Sequence, residues 1–330
     1  MATAVSFTGG KDSMLALHLA SGHHHPLIPS AAANPQTQQS QTPTVTLLVT
    51  FAPPGSDFKA HPLPVIKALA EALDIPHVRC EVQPPSFLDS YRQQLRRLHT
   101  EHGITHLVTG DILDVAGGFM ENVVDGTNVQ LVRPLWQCPR RNVLTALHDL
   151  GIRSKISCVD VAKYQVNAAL QPVAAGVLQS QQHMVLQAEA VAEAAVQQDA
   201  AADSNSQAAL VPPQPCQAGK DQAQVLPALQ DCRGTGVAAS AAASAGPGAV
   251  HAFDAQADLL GQELTEELVA GPLSVAEQLC RADLCGEHGE YHTLVFDAPM
   301  MSVPLQLVAA EHKTVCSGAY THAYVVWGPL

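Results

Sequence analysis

Apolar positions along the first half of the chain alternate between two rhythms, short unbroken runs and repeats at three- and four-residue spacing. The runs Ala4-Val5-Ser6-Phe7, Thr44–Phe51, His77–Val82, Thr105–Thr109 and Lys155–Val161 read as five buried strands. Between them, Met14–Ala20 predicts a helix, and Val65, Ile66, Leu69 and Leu73 mark a second over Pro64–Leu73. Leu88, Tyr91, Leu95 and Leu98 mark a helix over 86–102, and Val143, Leu144, Leu147 and Leu150 another over Arg140–Leu150. Strands that alternate with helices need crossover connections, which predicts the α/β class with a parallel five-stranded, doubly wound sheet. A ligand is then expected beyond the carboxyl ends of the strands, where the loops after Phe7, Phe51 and Thr109 open.

The rhythm fails in two places. Residues 22–43 are rich in His, Pro, Ala, Gln and Ser and predict an extended surface loop. Residues 166–250 turn to Ala, Gln, Ser and Pro with almost no aromatics, and we expect a disordered insert there, with Met184–Gln198 as a lone helix at most. Pattern returns at Leu260, Leu264 and Leu268, which predict a helix over Leu259–Leu268 that stops at Gly271. Strands are expected at Tyr291–Asp297, Gln306–Ala309 and Ala319–Trp327. The expected organisation is a nucleotide domain over 1–165, the insert over 166–250, and a smaller α+β domain over 251–330.

Charge narrows the partners. A formal net charge of -13 opposes nucleic acid and anionic membranes as binding partners. No stretch approaches the ~20 apolar residues that span a bilayer, so a cytoplasmic location is expected. The eight cysteines are scattered without a C-x-x-C pair, which reads as reduced thiols without a structural zinc. His23-His24-His25 reads as a solvated loop.

The first strand runs into Thr8-Gly9-Gly10-Lys11-Asp12-Ser13 and then straight into the first helix. Adjacent glycines allow backbone N–H groups to converge on an anion, and the helix N-terminus adds the positive end of its dipole. This is not the G-x-x-x-x-G-K-[ST] loop, because Val5 stands where its first glycine would be and Asp12 separates Lys11 from Ser13. The order resembles instead the S-G-G-x-D-S pyrophosphate (PP) loop of the adenine nucleotide alpha-hydrolase superfamily, whose members cleave ATP between the α and β phosphates.

A second concentration of polar chemistry is Cys285-Gly286-Glu287-His288-Gly289-Glu290-Tyr291-His292-Thr293, continuing to Asp297-Ala298-Pro299. By spacing alone its carboxylates suit a cation grip, an acid and base pair, or a plain acidic turn. With the glycine loop and Gly110-Asp111-Ile112, the run resembles the diphthine-ammonia ligase family, also described as the diphthamide synthase ATP-binding domain. Glu287, Gly289, Glu290, Tyr291, Thr293, Asp297 and Pro299 fall on that family's G-E-x-G-E-[YF]-x-T-x-V-x-D-[AG]-P stretch. His61, Glu121, Pro134-Leu135-Trp136 and Phe253-Asp254 add to the likeness, which covers 1–165 and 251–330.

The resemblance implies a HUP-type nucleotide fold and a C–N bond-forming ligase. ATP adenylates a carboxylate, most simply that of diphthine on elongation factor 2, and ammonia displaces AMP to give the amide. Another small carboxylic acid as acceptor, or a non-catalytic ATP-binding protein of the same fold, are the alternatives. ATP and Mg2+ are the implied cofactors, with the metal at Asp12. The nucleotide is expected on Thr8, Gly9, Gly10, Lys11, Asp12, Ser13, Phe51 and Gly110. The acceptor is expected near His61, Glu121, Glu287, Gly289, Glu290, Tyr291, His292 and Thr293, and the chemistry is expected to be carried by Lys11, Asp12, Asp111, Glu287 and Glu290.

Overall fold

Five strands, the central ones with side chains alternating between two buried faces, organise the first half of the chain. The computed structural model describes residues 2–29, 44–56, 58–114, 117–164, 253–317 and 320–329. The insert 166–250, its Met184–Gln198 helix and most of the 22–43 loop lie outside the described residues. All described residues belong to one compact unit, Met1–Ala174 together with Ala252–Leu330.

Strands β1 (Ala2–Ser6), β2 (Thr44–Ala52), β3 (His77–Glu81), β4 (Ile104–Val108) and β5 (Gln130–Val132) form an all-parallel sheet in the order β3-β2-β1-β4-β5. Alternation sends Val5, Leu48 and Val108 to one face and Ala4, Leu47, Val49 and Leu107 to the other. The first face packs under helices α1 (Lys11–Ala20), α2 (Leu63–Ala72) and α5 (Arg140–Asp149). The second packs under α3 (Phe87–His102) and α4 (Phe119–Val124). The predicted doubly wound α/β architecture is therefore present. Helix α3 starts where the Ser86 hydroxyl accepts the Asp89 amide at 3.2 Å and ends at Gly103 with φ 66°. Its fully buried Leu95 and Leu98 each contribute about 1.5–3 kcal/mol through removal from water.

The fifth strand of this sheet is a correction. It is β5, three residues whose length is too short for a periodic signal, and not Lys155–Val161. That segment, β6 (Arg153–Asp160), belongs to a second, antiparallel sheet of order β7-β6-β9-β8, with β7 (Tyr291–Asp297), β8 (Ala309–Ser317) and β9 (Tyr320–Trp327). A buried apolar run looks the same in either sheet, so its partners decide. The α+β second part is as expected, but its expected Gln306–Ala309 strand is displaced to β8. That edge strand is exposed along nearly its whole length and so carries no apolar alternation.

The predicted Leu259–Leu268 helix is also corrected. Strand β9 pairs only Cys158–Asp160 of β6, leaving the start of that edge of β6 open. The backbone of 261–264 covers it, with Gly261 N donating to Ile156 O and Ile156 N to Gln262 O, both at 2.8 Å. Helix is confined to α6 (Ala255–Asp258) before this segment and α7 (Glu266–Leu268) after it. Gly271 does not stop the chain either. A π-turn, Val269–Leu273, carries it through Pro272 into α8 (Ser274–Cys280).

Candidate active site

The strand order reverses at β1, so the loops after β1 and β4 open a crevice at the carboxyl edge of the parallel sheet. Thr8, Gly9 and Gly10 form the first loop and Lys11 begins α1, with Gly10 as its N-cap. Gly9 has φ 75°, and a Cβ there would stand 2.7 Å from Leu69 Cδ1. Gly110 approaches so closely that a Cβ would lie 2.7 Å from the Asp12 backbone carbon. Backbone thus meets backbone where the first turn of α1 passes the end of β4.

Inside the loop the Ser13 hydroxyl donates to Gly10 O at 2.9 Å and accepts from Thr8 N at 3.4 Å. Thr8 Oγ1 accepts from Gly10 N at 3.4 Å. The rest of its support comes from the second sheet. Thr293 Oγ1 accepts the Lys11 amide at 3.0 Å, and Val295 N donates to Gly9 O at 2.8 Å. Strand β7 is therefore one wall of the glycine loop.

Lys11 is 3% exposed, and its Nζ donates to Asp12 Oδ2 at 2.7 Å and to the Cys285 carbonyl at 2.6 Å. The Tyr291 ring lies 5.3 Å from the same ammonium. Burial works against the charge, but Asp12, Cys285 and Glu287 outweigh it and leave the Lys11 pKa above its ordinary value. Glu287 Oε2 accepts from Ile112 N at 3.3 Å, which brings the two motifs together. Burial and the nearby Asp12 charge push the Glu287 carboxyl up to about 7. Asp111, which accepts from Thr109 Oγ1 at 2.8 Å, is also raised, by burial first, with Glu121 and Asp12 adding to the shift.

The opposite side of the crevice is imidazole. His61 and His292 meet edge to face at 5.4 Å, and His61 Cε1 lies 3.2 Å from where a Gly10 Cβ would stand. Burial, with His292 and Lys11 beside it, lowers His61 to about 3. Burial, Lys11 and His322 lower His292 to about 4. Both rings are neutral across the physiological range.

Other expected residues play supporting parts. Both oxygens of Glu290 are spent on its own turn, accepting Asp283 N and His288 N at 3.0 Å each. Gly289 turns beside Lys163, which donates to the His288 carbonyl. The Tyr291 hydroxyl donates to Leu284 O at 2.8 Å. Phe51 stacks on Tyr91 at 4.5 Å, within the core on the α3 side. Glu121 pairs with Arg133 at 2.6 Å, and that guanidinium lies 3.5 Å from the Trp136 ring centroid.

Sequence reasoning passed over four participants: Ile112 through its amide, Cys285 through its carbonyl, and the ion pair Arg140–Asp283 at 2.8 Å. Backbone groups leave no side-chain signature. Asp283, however, precedes Gly286 and Glu287 as a turn-forming Asp would, a readable signal.

Asp12 Oδ1 is buried without a hydrogen-bond partner. Among the described residues, no group of three or more His, Cys, Asp and Glu side chains forms a metal cage. A lone carboxylate oxygen of this kind fits Mg2+, which takes most of its ligands from water and phosphate.

Residues 247–324 match the family model described as the diphthamide synthase C-terminal domain. No curated protein sequence matches the chain. Among solved structures, the U34-tRNA thiolase NcsA from Methanococcus maripaludis with its 4Fe-4S cluster is similar at 16% identity and a TM-score of 0.32. The match covers 46% of this chain and 57% of that one, so the chain spans little more than half of the thiolase. The family match falls on the part of the chain that presents Glu287 and Thr293 to the glycine loop, and it makes that part similar to the diphthamide synthase C-terminal domain.

Proposed function

We propose that the protein is an ATP-dependent amide-forming ligase that activates a carboxylate at the α phosphate and passes it to ammonia, with diphthine on elongation factor 2 as the acceptor. The observation that carries this reading is the convergence on Lys11: a glycine loop on one side, and on the other the Cys285 carbonyl, with the Glu287 carboxylate two residues further on at Ile112 N and its charge felt by the ammonium. An acceptor oxygen attacks the α phosphorus and the bond to pyrophosphate breaks. The loop amides and Lys11 stabilise the charge that builds on the departing phosphates. Asp12 would hold Mg2+, which supplies further neutralisation of that charge. Ammonia then attacks the activated carbonyl carbon, AMP leaves, and the nitrogen loses a proton.

Glu287 is the group suited to take that proton, because a carboxylate with a pKa near the working pH is an effective general base. On this reading 1–165 handles the nucleotide and 251–330 the acceptor, in the cytoplasm, while the insert 166–250 has no part in the chemistry. No helix among the described residues is long and apolar enough to cross a membrane.

The test supplies purified protein with ATP, Mg2+, ammonium and diphthine-bearing elongation factor 2. AMP and pyrophosphate should form only when the acceptor is present, and a Lys11→Ala, Asp12→Ala double variant should form none. AMP formed only with a different carboxylic acid overturns the acceptor. Tight ATP binding without AMP for any acceptor overturns the ligase reading.

A further inference from the structure

The turn from Asp283 to Glu290 delivers two groups to the site, the Cys285 carbonyl at Lys11 and the Glu287 carboxylate at Ile112 N. Asp283 holds that turn in shape. Its Oδ1 accepts the Cys285 amide at 2.8 Å and the Glu287 amide at 3.4 Å, so both delivering residues hang from one carboxylate oxygen. Glu290 closes the turn from its other end.

Asp283 is tied in turn to the nucleotide half. Arg140, the first residue of α5, donates from Nε to both carboxylate oxygens, at 3.1 and 2.8 Å, and the Cys285 thiol donates to the Arg140 carbonyl at 3.5 Å. The pair is largely removed from solvent, with side chains 20% and 11% exposed. Burial opposes the Asp283 charge, but the Arg140 hydrogen bond and charge hold its carboxyl below the usual range, so it remains an anion that accepts from the turn.

We infer that Arg140 and Asp283 form a positioning pair that sets the Lys11 ammonium and the Glu287 carboxylate at fixed places relative to each other. As a role in catalysis this rests on the ligase reading above; as geometry it stands apart from it. A contact that merely stabilised the fold would affect the whole unit equally. This pair acts on one turn, and through it on two reacting groups, one at the start of α1 and the other in the turn before β7.

Three substitutions separate its components. Asp283→Ala removes both the ion pair and the two amide acceptors. Asp283→Asn keeps an oxygen for Cys285 N and Glu287 N while discarding the charge. Arg140→Lys keeps the charge but loses the Nε contact.

Two readouts need no turnover: acetylation of Lys11 followed by peptide mass spectrometry, and hydrogen exchange of the Cys285 and Glu287 amides. In Asp283→Ala, Lys11 labelling and exchange of both amides should rise about tenfold or more, with α3 protection unchanged, the mark of local rather than global opening. Asp283→Asn should restore most of the protection. In turnover, Asp283→Ala should lose about 100-fold in kcat with the KM for ATP little changed, as a small misplacement of reacting groups predicts.

Unchanged Lys11 labelling overturns the inference, as does labelling that rises only together with exchange in α3. Should Asp283→Ala fail to fold, Arg140→Lys decides instead: raised Lys11 labelling with α3 protection unchanged supports the pair, and unchanged labelling overturns it. A wild-type protein that forms no AMP would dispose of the ligase reading while leaving the labelling result to judge the positioning.

Discussion

The glycine loop and the Cys285–Tyr291 turn lie against the same ammonium, yet they are built in opposite ways. The loop owes much of its shape to its own residues: Gly9 at positive φ, Ser13 bonded back to Gly10, and a strand and helix directly on either side. The turn owes its orientation to residues far away in sequence, with Arg140 143 positions from Asp283 and Lys11 274 positions from Cys285. A local device can be read from six letters. A device assembled by long-range contacts declares only the types of groups it holds, and its assembly brings the larger loop-closure cost.

The comparison is broken most sharply at Lys11, which both regions share. On the ligase reading proposed above, Lys11→Met should lower amide formation about 1,000-fold, the scale of removing a preorganised charge from a transition state. It should also release the Cys285 carbonyl, visible as faster exchange across 283–290. If turnover falls while the turn stays protected, the two regions are independent.

Glu287→Gln comes next, with kcat falling about 100-fold, in line with loss of a general base. The pH profile carries the sharper signature. With the carboxyl raised to about 7, the base form accumulates above that pH, so kcat should rise through it and the Gln variant should lose this limb. Stability runs the other way. A carboxyl whose folded pKa lies above its unfolded value binds more protons in the native state between 4.5 and 7. The native protein should therefore lose stability as pH rises through that window, and Glu287→Gln should flatten the dependence of Tm.

How much was legible follows from where each signal resides. Leu95 and Leu98 announce α3 because one helix face repeats within a single segment, and the glycine loop announces itself by the same economy. The parallel sheet's last strand did not, since Gln130–Val132 is three residues long, while Lys155–Val161 looked like a sheet strand and is one, in the other sheet. At the site, Lys11, Asp12 and Glu287 were readable as residue types. That Glu290 faces its own turn and that Phe51 packs on Tyr91 were not, because a motif names a residue without saying where its oxygens or its ring are directed.

Thr293→Val tests the seam between the regions at lower cost. The hydroxyl is the partner of the Lys11 amide in a buried setting, so the variant should lose about 1–3 kcal/mol through an orphaned N–H while keeping side-chain volume. Denaturant unfolding measures it, and ATP affinity should move with it because the wall of the loop is loosened. A stability loss without any change in ATP affinity would mean that the loop keeps its shape unaided.

The smallest effect separates two uses of the same residue type. Gly9 and Gly271 are both glycines beside helices, and the pattern read the second as a stop. In the structure Gly271 sits within a continuous helical run, with no atom within 4 Å of a would-be Cβ and no positive φ. Nothing local requires glycine there, so Gly271→Ala should stabilise the protein by about 0.4–1 kcal/mol by restricting the unfolded chain. At Gly9 the same substitution meets both a positive φ and Leu69 Cδ1 at 2.7 Å, and should destabilise by about 1–2 kcal/mol. Opposite signs in a pair of thermal melts would show that a glycine's meaning is set by the contacts around it; a destabilising Gly271→Ala would mean that the helical run through Val269–Leu273 does require glycine at this position.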